Sequence, residues 1–429
     1  MDNNSLIKRN IFPLILDHLS DKEITVIIGP RQVGKTTLLD QIRIFLIQKQ
    51  KKDPKLLPYF NLDLTKDLSL FSRQENVINF IKDRRSRSEK MYLFIDEVQR
   101  IANAGKFLKG IYDLKLGIKI IATGSSSLEI KSKIQEPLTG RKKIFQLMPL
   151  NFSEYANFKN PVIYKIAKNK ERISEYDSTE WKKLINDFAV YGGYPRVVIE
   201  KNVNKKVDIL EELHNSYLEK DIVNFLKINK IISFNKLVSL LAAQAGGLLN
   251  INQLAKDTAV EAKTLNYYLT VLENTFIIKL IRPFFTNSKK ELIKMPKVYF
   301  FDSGLRNFSL ARFGNLDERV DKGETFENLV ASELLKIIKP PHSLAFWRSL
   351  QKAEVDFIIR KGNGKIIPIE VKAQSMDKIN ISRGYQSFLK KYKPAQAFIV
   401  NYDRQAEKQS GGARLSLITL SNIEKILIN

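Results

Sequence analysis

Gly29-Pro30-Arg31-Gln32-Val33-Gly34-Lys35-Thr36 decides how this chain is read, because it spells G-x-x-x-x-G-K-T between a strand and a helix. Residues 24–28 are a short apolar run, the mark of a buried strand, and residues 37–47 carry apolar side chains at helical spacing. The glycines let the backbone curl so that its N–H groups face a phosphate chain. The start of the following helix adds partial positive charge there. This is a P-loop. Lys35 is placed to reach the β- and γ-phosphates of ATP and the Thr36 hydroxyl to sit on Mg²⁺. Gly29, Pro30, Arg31, Gln32, Val33, Gly34 and Thr37 complete the cradle.

Working outward, residues 59–62 read as a second strand, 72–82 as a helix, and 82–87 as a basic connection best explained as a solvated loop. Residues 91–95 are apolar and run into Asp96-Glu97, a Walker B pattern. Asp96 would hold Mg²⁺ through water, and Glu97 would orient or deprotonate the attacking water. Residues 118–124 form another apolar strand, ending at Ser125-Ser126-Ser127. Ser125 is taken as the residue that senses the γ-phosphate, with Thr123 and Ser126 as alternatives; a helix N-cap is the plain structural role for such a serine. Leu138-Thr139-Gly140-Arg141 precedes a strand over 144–150. Arg141 either supplies positive charge to the phosphates, in its own subunit or a neighbour's, or makes a surface salt bridge. The elements together predict a five-stranded parallel sheet with the nucleotide at the carboxyl ends of the strands. Tyr191-Gly192-Gly193-Tyr194-Pro195-Arg196 is a tight turn in a helical region, where Arg196 faces either nucleotide or the packing of the turn.

G-P-R-Q-V-G-K-T, F-I-D-E-V-Q, A-T-G-S-S, L-T-G-R and G-G-Y-P occur in that order. In this the chain resembles a prokaryotic AAA+ ATPase family whose nucleotide domain is fused to a C-terminal domain long described as of unknown function. The resemblance covers nearly the whole chain and implies ATP hydrolysis and a homo-oligomer. It names no substrate.

After a helical stretch over 207–227, the pattern is an apolar helix at 237–245, a second helix opening at 249–255, a turn near 257–259, a third helix over 261–272, then strands at 276–281 and 297–301 around a 286–290 loop. That is the order of a winged helix. Lys263, Thr264, Asn266 and Tyr267 would lie on the polar side of its third helix, facing a DNA groove or, equally, a protein partner. A helix follows from Gly323 to about residue 338, then strands at 345–348, 354–359 and 366–372, a helix over 377–392 and a strand at 397–400. Glu370 and Lys372, two apart on a strand, share a face, and a hairpin brings Asp356 beside them. The α-β-β-β-α-β order is similar to the PD-(D/E)XK nuclease superfamily, with Glu327 matching its helix-borne acid. The resemblance implies that Asp356 and Glu370 bind Mg²⁺ or Mn²⁺, helped by Glu327, while Lys372 positions the attacking water or stabilises developing charge. Two readings without cleavage remain: a surface Glu/Lys pair, and a nuclease fold that grips nucleic acid. Glu354 shares a face with Asp356, and its role is open.

Lys and Arg number 71 against 46 Asp and Glu, a net charge of +25 that favours an anionic partner, DNA before a membrane surface. With no Cys and three His, thiolate or His-rich metal sites are not expected. There is no apolar run long enough to span a bilayer and no signal-peptide core near the start, so a cytoplasmic location is expected. The resulting architecture is α/β: a P-loop AAA+ parallel-sheet domain over residues 1–155, a helical lid and linker over 156–232, a winged-helix segment over 233–302, and an α/β restriction-endonuclease-like domain over 303–429.

Overall fold

A computed structural model describes residues 6–84, 89–125, 138–170, 173–216, 231–284, 295–376, 378–410 and 412–428, with backbone alone at Ser125. Arg85–Arg87 of the basic connection, Ser126, Ser127 and the 286–290 loop lie outside these residues. The chain divides into two compact units. One is Lys8–Met148 with Asn274–Phe276; the other contains Pro149–Glu273 and Ile277–Asn429.

The first unit begins with α1 (Ile11–His18), β1 (Ile24–Gly29), α2 (Lys35–Gln48) and β2 (Tyr59–Asn61). It continues through α3 (Thr65–Leu70), α4 (Gln74–Arg84), β3 (Met91–Asp96), α5 (Ala104–Asp113), β4 (Ile118–Ser125) and β5 (Lys142–Gln146). All strands run parallel in the order β2-β3-β4-β1-β5. Every residue of β1 and β3 is buried, which is why these strands read as unbroken apolar runs rather than alternating ones. Ile24, Val26, Leu93, Ile95 and Ile120 share one core cluster with α4 and α5 residues such as Val77 and Leu108.

At the amino ends of these strands lies a buried basic knot. Lys119 is fully buried and donates to the carbonyls of His18 (2.7 Å), Asp21 (3.1 Å) and Glu23 (2.6 Å). His18 Nδ1 meets Thr25 Oγ1 at 2.8 Å. Burial, with Lys119 and Lys143 nearby, lowers the imidazole from 6.5 to about 4. The unfolded chain therefore takes up a proton that the folded chain refuses, so stability falls as pH drops from about 6.5 to about 4. We expect His18→Gln to flatten that limb of a melting-temperature-versus-pH curve, by about 1 kcal/mol once solvent screening is allowed for. An unchanged acid limb would show that His18 does not set it.

The second unit starts with helices α6 (Phe152–Lys159), α7 (Pro161–Asn169), α8 (Glu175–Tyr191), α9 (Pro195–Ile199) and α10 (Val203–Asn215). Then come α11 (Ile231–Ala243), α12 (Ile251–Thr258), α13 (Ala262–Asn274), β6 (Ile278–Pro283), β7 (Lys297–Phe300), α14 (Ser303–Ser309) and α15 (Lys322–Ile337). The remainder is β8 (Ser343–Arg348), β9 (Glu354–Arg360), β10 (Ile366–Val371), α16 (Arg383–Tyr392), β11 (Gln396–Asn401), β12 (Ala406–Ser410), β13 (Ala413–Thr419) and α17 (Lys425–Ile428). The eight strands form one mixed sheet, ordered β12-β13-β11-β10-β9-β8-β6-β7. The α15-β8-β9-β10-α16-β11 succession is the element order expected from sequence.

Two features differ from the sequence reading. The strands expected to form a free-standing wing are antiparallel to each other, but β6 also runs parallel to β8 through Arg282 and Pro283, so the pair is an edge of the C-terminal sheet. Residues Ala406–Ser410, whose polar composition is that of a loop, form the outer strand of a β12–β13 hairpin whose inner strand pairs with β11.

The Gly-Gly turn is clasped by Phe301-Asp302-Ser303-Gly304. Asp302 is 3 % exposed and accepts from Gly193 N at 2.8 Å; Asn307 donates to the carbonyls of Ala189 and Val190, both at 2.9 Å. Gly192 has φ +77°, and a Cβ on Gly193 would stand 2.4 Å from the Leu150 carbonyl oxygen, so both glycines are required here. Among the described residues, no helix is long and apolar enough to cross a membrane.

Candidate functional site: a nucleotide cradle and an acidic cluster

The P-loop joins the carboxyl end of β1 to the fourteen-residue α2. Its turn needs left-handed backbone at Gln32 (φ 58°) and Gly34 (φ 91°). Gly29 cannot be larger: a Cβ there would lie 2.0 Å from the Leu147 carbonyl oxygen. Lys35 is 6 % exposed and donates to the carbonyls of Gly29 (3.1 Å) and Pro30 (2.8 Å), which holds its ammonium across the loop. The Thr36 hydroxyl donates to Asp96 Oδ2 at 2.6 Å, so the two residues expected to share Mg²⁺ are already together. Glu97 follows in left-handed backbone (φ 58°), a conformation that non-glycine residues rarely adopt, and its carboxylate accepts from the Gln99 amide.

Two residues of this site, Tyr59 and Arg9, were not assigned to it from sequence, and a third, Thr123, was one of the alternatives. Tyr59, on β2 beside β3, donates to Asp96 Oδ2 at 3.0 Å. Thr123, left as an alternative to Ser125, donates to Asp96 Oδ1 and accepts from Glu97 N at 3.3 Å. It fixes both acids of the Walker B pair, whereas the Ser125 side chain lies outside the described residues. Arg9 braces the loop from below, donating to the carbonyls of Val33 (3.1 Å) and Met148 (2.6 Å). No local motif announces it.

Arg141 is corrected as a phosphate ligand within its own subunit. Its carbonyl accepts from Ile24 N, at the start of β1, while the P-loop leaves the other end of that six-residue strand, about 17 Å away. The guanidinium pairs with Asp113 at 2.8 Å. A cleft of about 950 Å³ opens at this same end, lined by Lys22, Lys90, Asp113 and Lys115 and by no P-loop residue. Arg141→Ala should cost under about 1 kcal/mol, since its ion pair is solvent-facing, and leave ATP turnover of the dilute chain unchanged. A fall in turnover at low protein concentration would return Arg141 to its own nucleotide site. Arg196 pairs with Glu212 at 2.8 Å on the surface, which favours the packing role over the nucleotide one.

In the second unit, β9 and β10 pair antiparallel with Phe357 opposite Ile369. Continuing that register by one residue sets Asp356 across from Glu370, and Asp356 Oδ2 accepts from Val371 N at 2.7 Å. Burial and the charge of Glu327 lift the Asp356 carboxyl from 3.8 to about 7, against the pull of Lys297 and the Val371 N–H. Lys372 donates to Glu370 Oε1 at 2.8 Å, while Glu370 Oε2 is buried without any partner. An orphaned carboxylate oxygen beside a second acid is what a hard divalent cation would complete. Asp356 and Glu370 fit such an ion.

Glu327 lies close enough to act on Asp356 by charge, but its own bonds go to other partners. Its Oε1 accepts from the Tyr299 hydroxyl at 2.5 Å and meets Lys297 Nζ at 3.3 Å. Lys297 also contacts Glu354. Burial works against the Lys297 ammonium, but Glu327 and Glu354 outweigh it and raise its pKa. Among the described residues, Glu327, Asp356 and Glu370 do not bring one oxygen each within 4.8 Å of one another. His18, Asp21 and Glu23 do, though Lys119 already places a buried cation beside them. Lys297 and Tyr299 could have been found only by noticing that i and i+2 of β7 put both on one face.

Residues 21–156 match an AAA domain. Residues 182–317 match a domain of unknown function (DUF8612), and 322–423 match a second (DUF4143). The chain is similar to an uncharacterised protein of Methanocaldococcus jannaschii, 29% identical over 380 residues, which are 87% of this chain and 80% of that protein. An uncharacterised Haemophilus influenzae protein is 25% identical over 86% of this chain and 88% of its own length. An uncharacterised Mycobacterium tuberculosis protein is 23% identical, over 88% and 76%. Among solved structures, the chain is similar to a Walker-type ATPase of Pyrococcus abyssi, with 14% identity and a TM-score of 0.44 over 72% of this chain and 97% of that one. The ORC2 protein of Aeropyrum pernix in its ADP form gives 14% and 0.32, over 67% and 87%. The AAA match, with Lys35, Thr36 and Asp96 gathered as described, supports ATP binding and hydrolysis by this domain. The acidic cluster draws on both other matched segments: Lys297 and Tyr299 come from the first, and Glu327, Asp356, Glu370 and Lys372 from the second.

Proposed function

We propose that ATP turnover in the AAA domain controls the processing of nucleic acid, with metal-dependent phosphodiester hydrolysis by the C-terminal acidic cluster. The observation that carries the reading is the buried, unpartnered Glu370 Oε2, opposite Asp356 and next to Lys372. A divalent ion there, Mg²⁺ or Mn²⁺, supplies the charge that polarises the scissile phosphate. Asp356 and Glu370 would hold it. Lys372, half-buried at the mouth of the pair, would position the attacking water or stabilise charge on the phosphate oxygens. In the AAA domain, Lys35 would neutralise the β- and γ-phosphates. Asp96, fixed by Thr36, Tyr59 and Thr123, would hold Mg²⁺, and Glu97 would orient the attacking water. Arg141 remains a candidate to reach a neighbouring subunit's nucleotide in a homo-oligomer.

DNA as the substrate class is supported by the net charge of +25 and by a basic cleft of about 770 Å³. Lys361, Lys365, Lys393 and Arg414 line it, a set of cations suited to phosphates, at the opposite end of β10 from Glu370. Reversing both exposed charges, in Lys365→Glu with Lys393→Glu, should weaken DNA binding about tenfold or more and lower its salt slope by about 2. An unchanged slope in a fluorescence-anisotropy titration would exclude this cleft. A second reading, a module that grips DNA without cutting, is favoured by Lys297, which already neutralises part of the cluster. Incubation of the full chain with linear, circular and single-stranded DNA in Mg²⁺ and in Mn²⁺, with and without ATP, separates the two.

A further inference from the structure

We infer that Lys297 is the resident cation of the acidic cluster and restricts it to one divalent metal ion, held by Asp356 and Glu370. The inference rests on the metal site proposed above. Four carboxylates belong to this region: Glu327, Glu354, Asp356 and Glu370. Such a set is rich enough for two ions about 4 Å apart. The structure partners its members unequally, although Glu327 and Lys297 both act on Asp356 by charge. Glu327 and Glu354 are joined by the Lys297 ammonium, whose side chain is only 4 % exposed. Asp356 and Glu370 lie across one strand pair, with Lys372 on Glu370 Oε1 and nothing on Oε2.

Lys297 is held where it is by its own strand. It pairs with Ile281 of β6 and bridges to Leu248. Tyr299, two residues along on the same face, donates to the same Glu327 oxygen that Lys297 meets. Gly246 closes the approach: it sits at φ +82°, and a Cβ there would come 3.3 Å from Glu327 Oε1. A second metal ion would have to displace the ammonium and the Tyr299 hydroxyl together. Removing the ammonium alone leaves Glu327 without a counter-charge and Glu354 with only Arg348, 3.8 Å away, a condition that favours a divalent ion.

The test counts bound Mn²⁺ by calorimetric titration and electron paramagnetic resonance. It uses the full chain carrying Asp96→Asn, so that the AAA domain does not contribute, without nucleotide and at about pH 8. One ion is expected in this parent, two after Lys297→Met, and one again after Lys297→Arg, which keeps the charge. One ion in the Lys297→Met chain, or two in the parent, overturns the role of Lys297. No ion in the parent overturns the metal site itself, so the two failures are distinguishable. If Lys297→Met folds poorly, melting with and without Mn²⁺ replaces the count. Mn²⁺ should raise its melting temperature by more than it raises the parent's, and an equal or smaller rise overturns the inference.

Discussion

Lys35→Ala is expected to lower ATP turnover by at least about a hundredfold, the usual loss when one preorganised electrostatic group is removed from a phosphoryl-transfer site. The side chain is nearly buried, and its ammonium rests on the carbonyls of Gly29 and Pro30, within the loop that would wrap the phosphates. When nucleotide enters, the same ammonium can turn to the β- and γ-phosphates without crossing solvent. The fold should survive the change. Two backbone acceptors lose one donor at the edge of the site, a cost of about 1–2 kcal/mol. Phosphate release and thermal melting, measured on one preparation, separate the two effects. Turnover close to that of the parent, in a chain that melts normally, would rule out hydrolysis at this loop.

Lys372→Ala is expected to remove DNA cutting by a factor of about a hundred or more while ATP turnover stays at the parental level. Lys372 is bonded to Glu370, so the alanine variant also strips that acid of its remaining side-chain partner. Lys372→Gln keeps a donor for Glu370 without the charge. A variant that binds metal normally and does not cut would assign the loss to the missing charge rather than to a disordered acid. Lys35→Ala alone asks whether ATP governs the second activity. Cutting that persists in Lys35→Ala would mean that it does not. If the parent cuts no DNA form under any metal or nucleotide condition yet binds DNA, the non-cleaving reading stands.

The parts that were legible in the sequence are those whose chemistry is contiguous along the chain. The P-loop carries its strand, glycines, lysine and threonine within a few residues, and Asp96-Glu97 closes an apolar strand, so each could be placed before any coordinates. Asp356, Glu370 and Lys372 were legible because strand alternation and one hairpin bring them together. What stayed hidden depends on register. Tyr59 reaches Asp96 only because β2 lies beside β3, and Thr123 because β4 lies on its other side. Lys297 reaches Glu327 and Glu354 only because β6 joins β8, a parallel contact across intervening α14 and α15 that no local pattern encodes. The choice among the roles open to Arg141 was hidden for a related reason: adjacency to the start of β5 says which end of the sheet it occupies only after β5 is known to run parallel to β1. The edge strand β12 has the polar composition of a loop, Glu407-Lys408-Gln409-Ser410, and is a strand because β13 offers it a backbone ladder.

The clasp between Asp302 and the Gly-Gly turn bears on how this protein can be taken apart. A fragment beginning at residue 303 would look like a self-sufficient C-terminal domain by sequence motif. It would leave behind β6, exposing part of the β8 edge, and would remove Lys297 and Tyr299 from Glu327. It would also withdraw the carboxylate that holds Gly193 N. The main division of the chain lies instead between residues 148 and 149, with Asn274–Phe276 grouped with the first unit. Deletion mapping that respects motif boundaries would therefore destroy the acidic cluster it set out to isolate, and an inactive short fragment would report on the cut rather than on the chemistry.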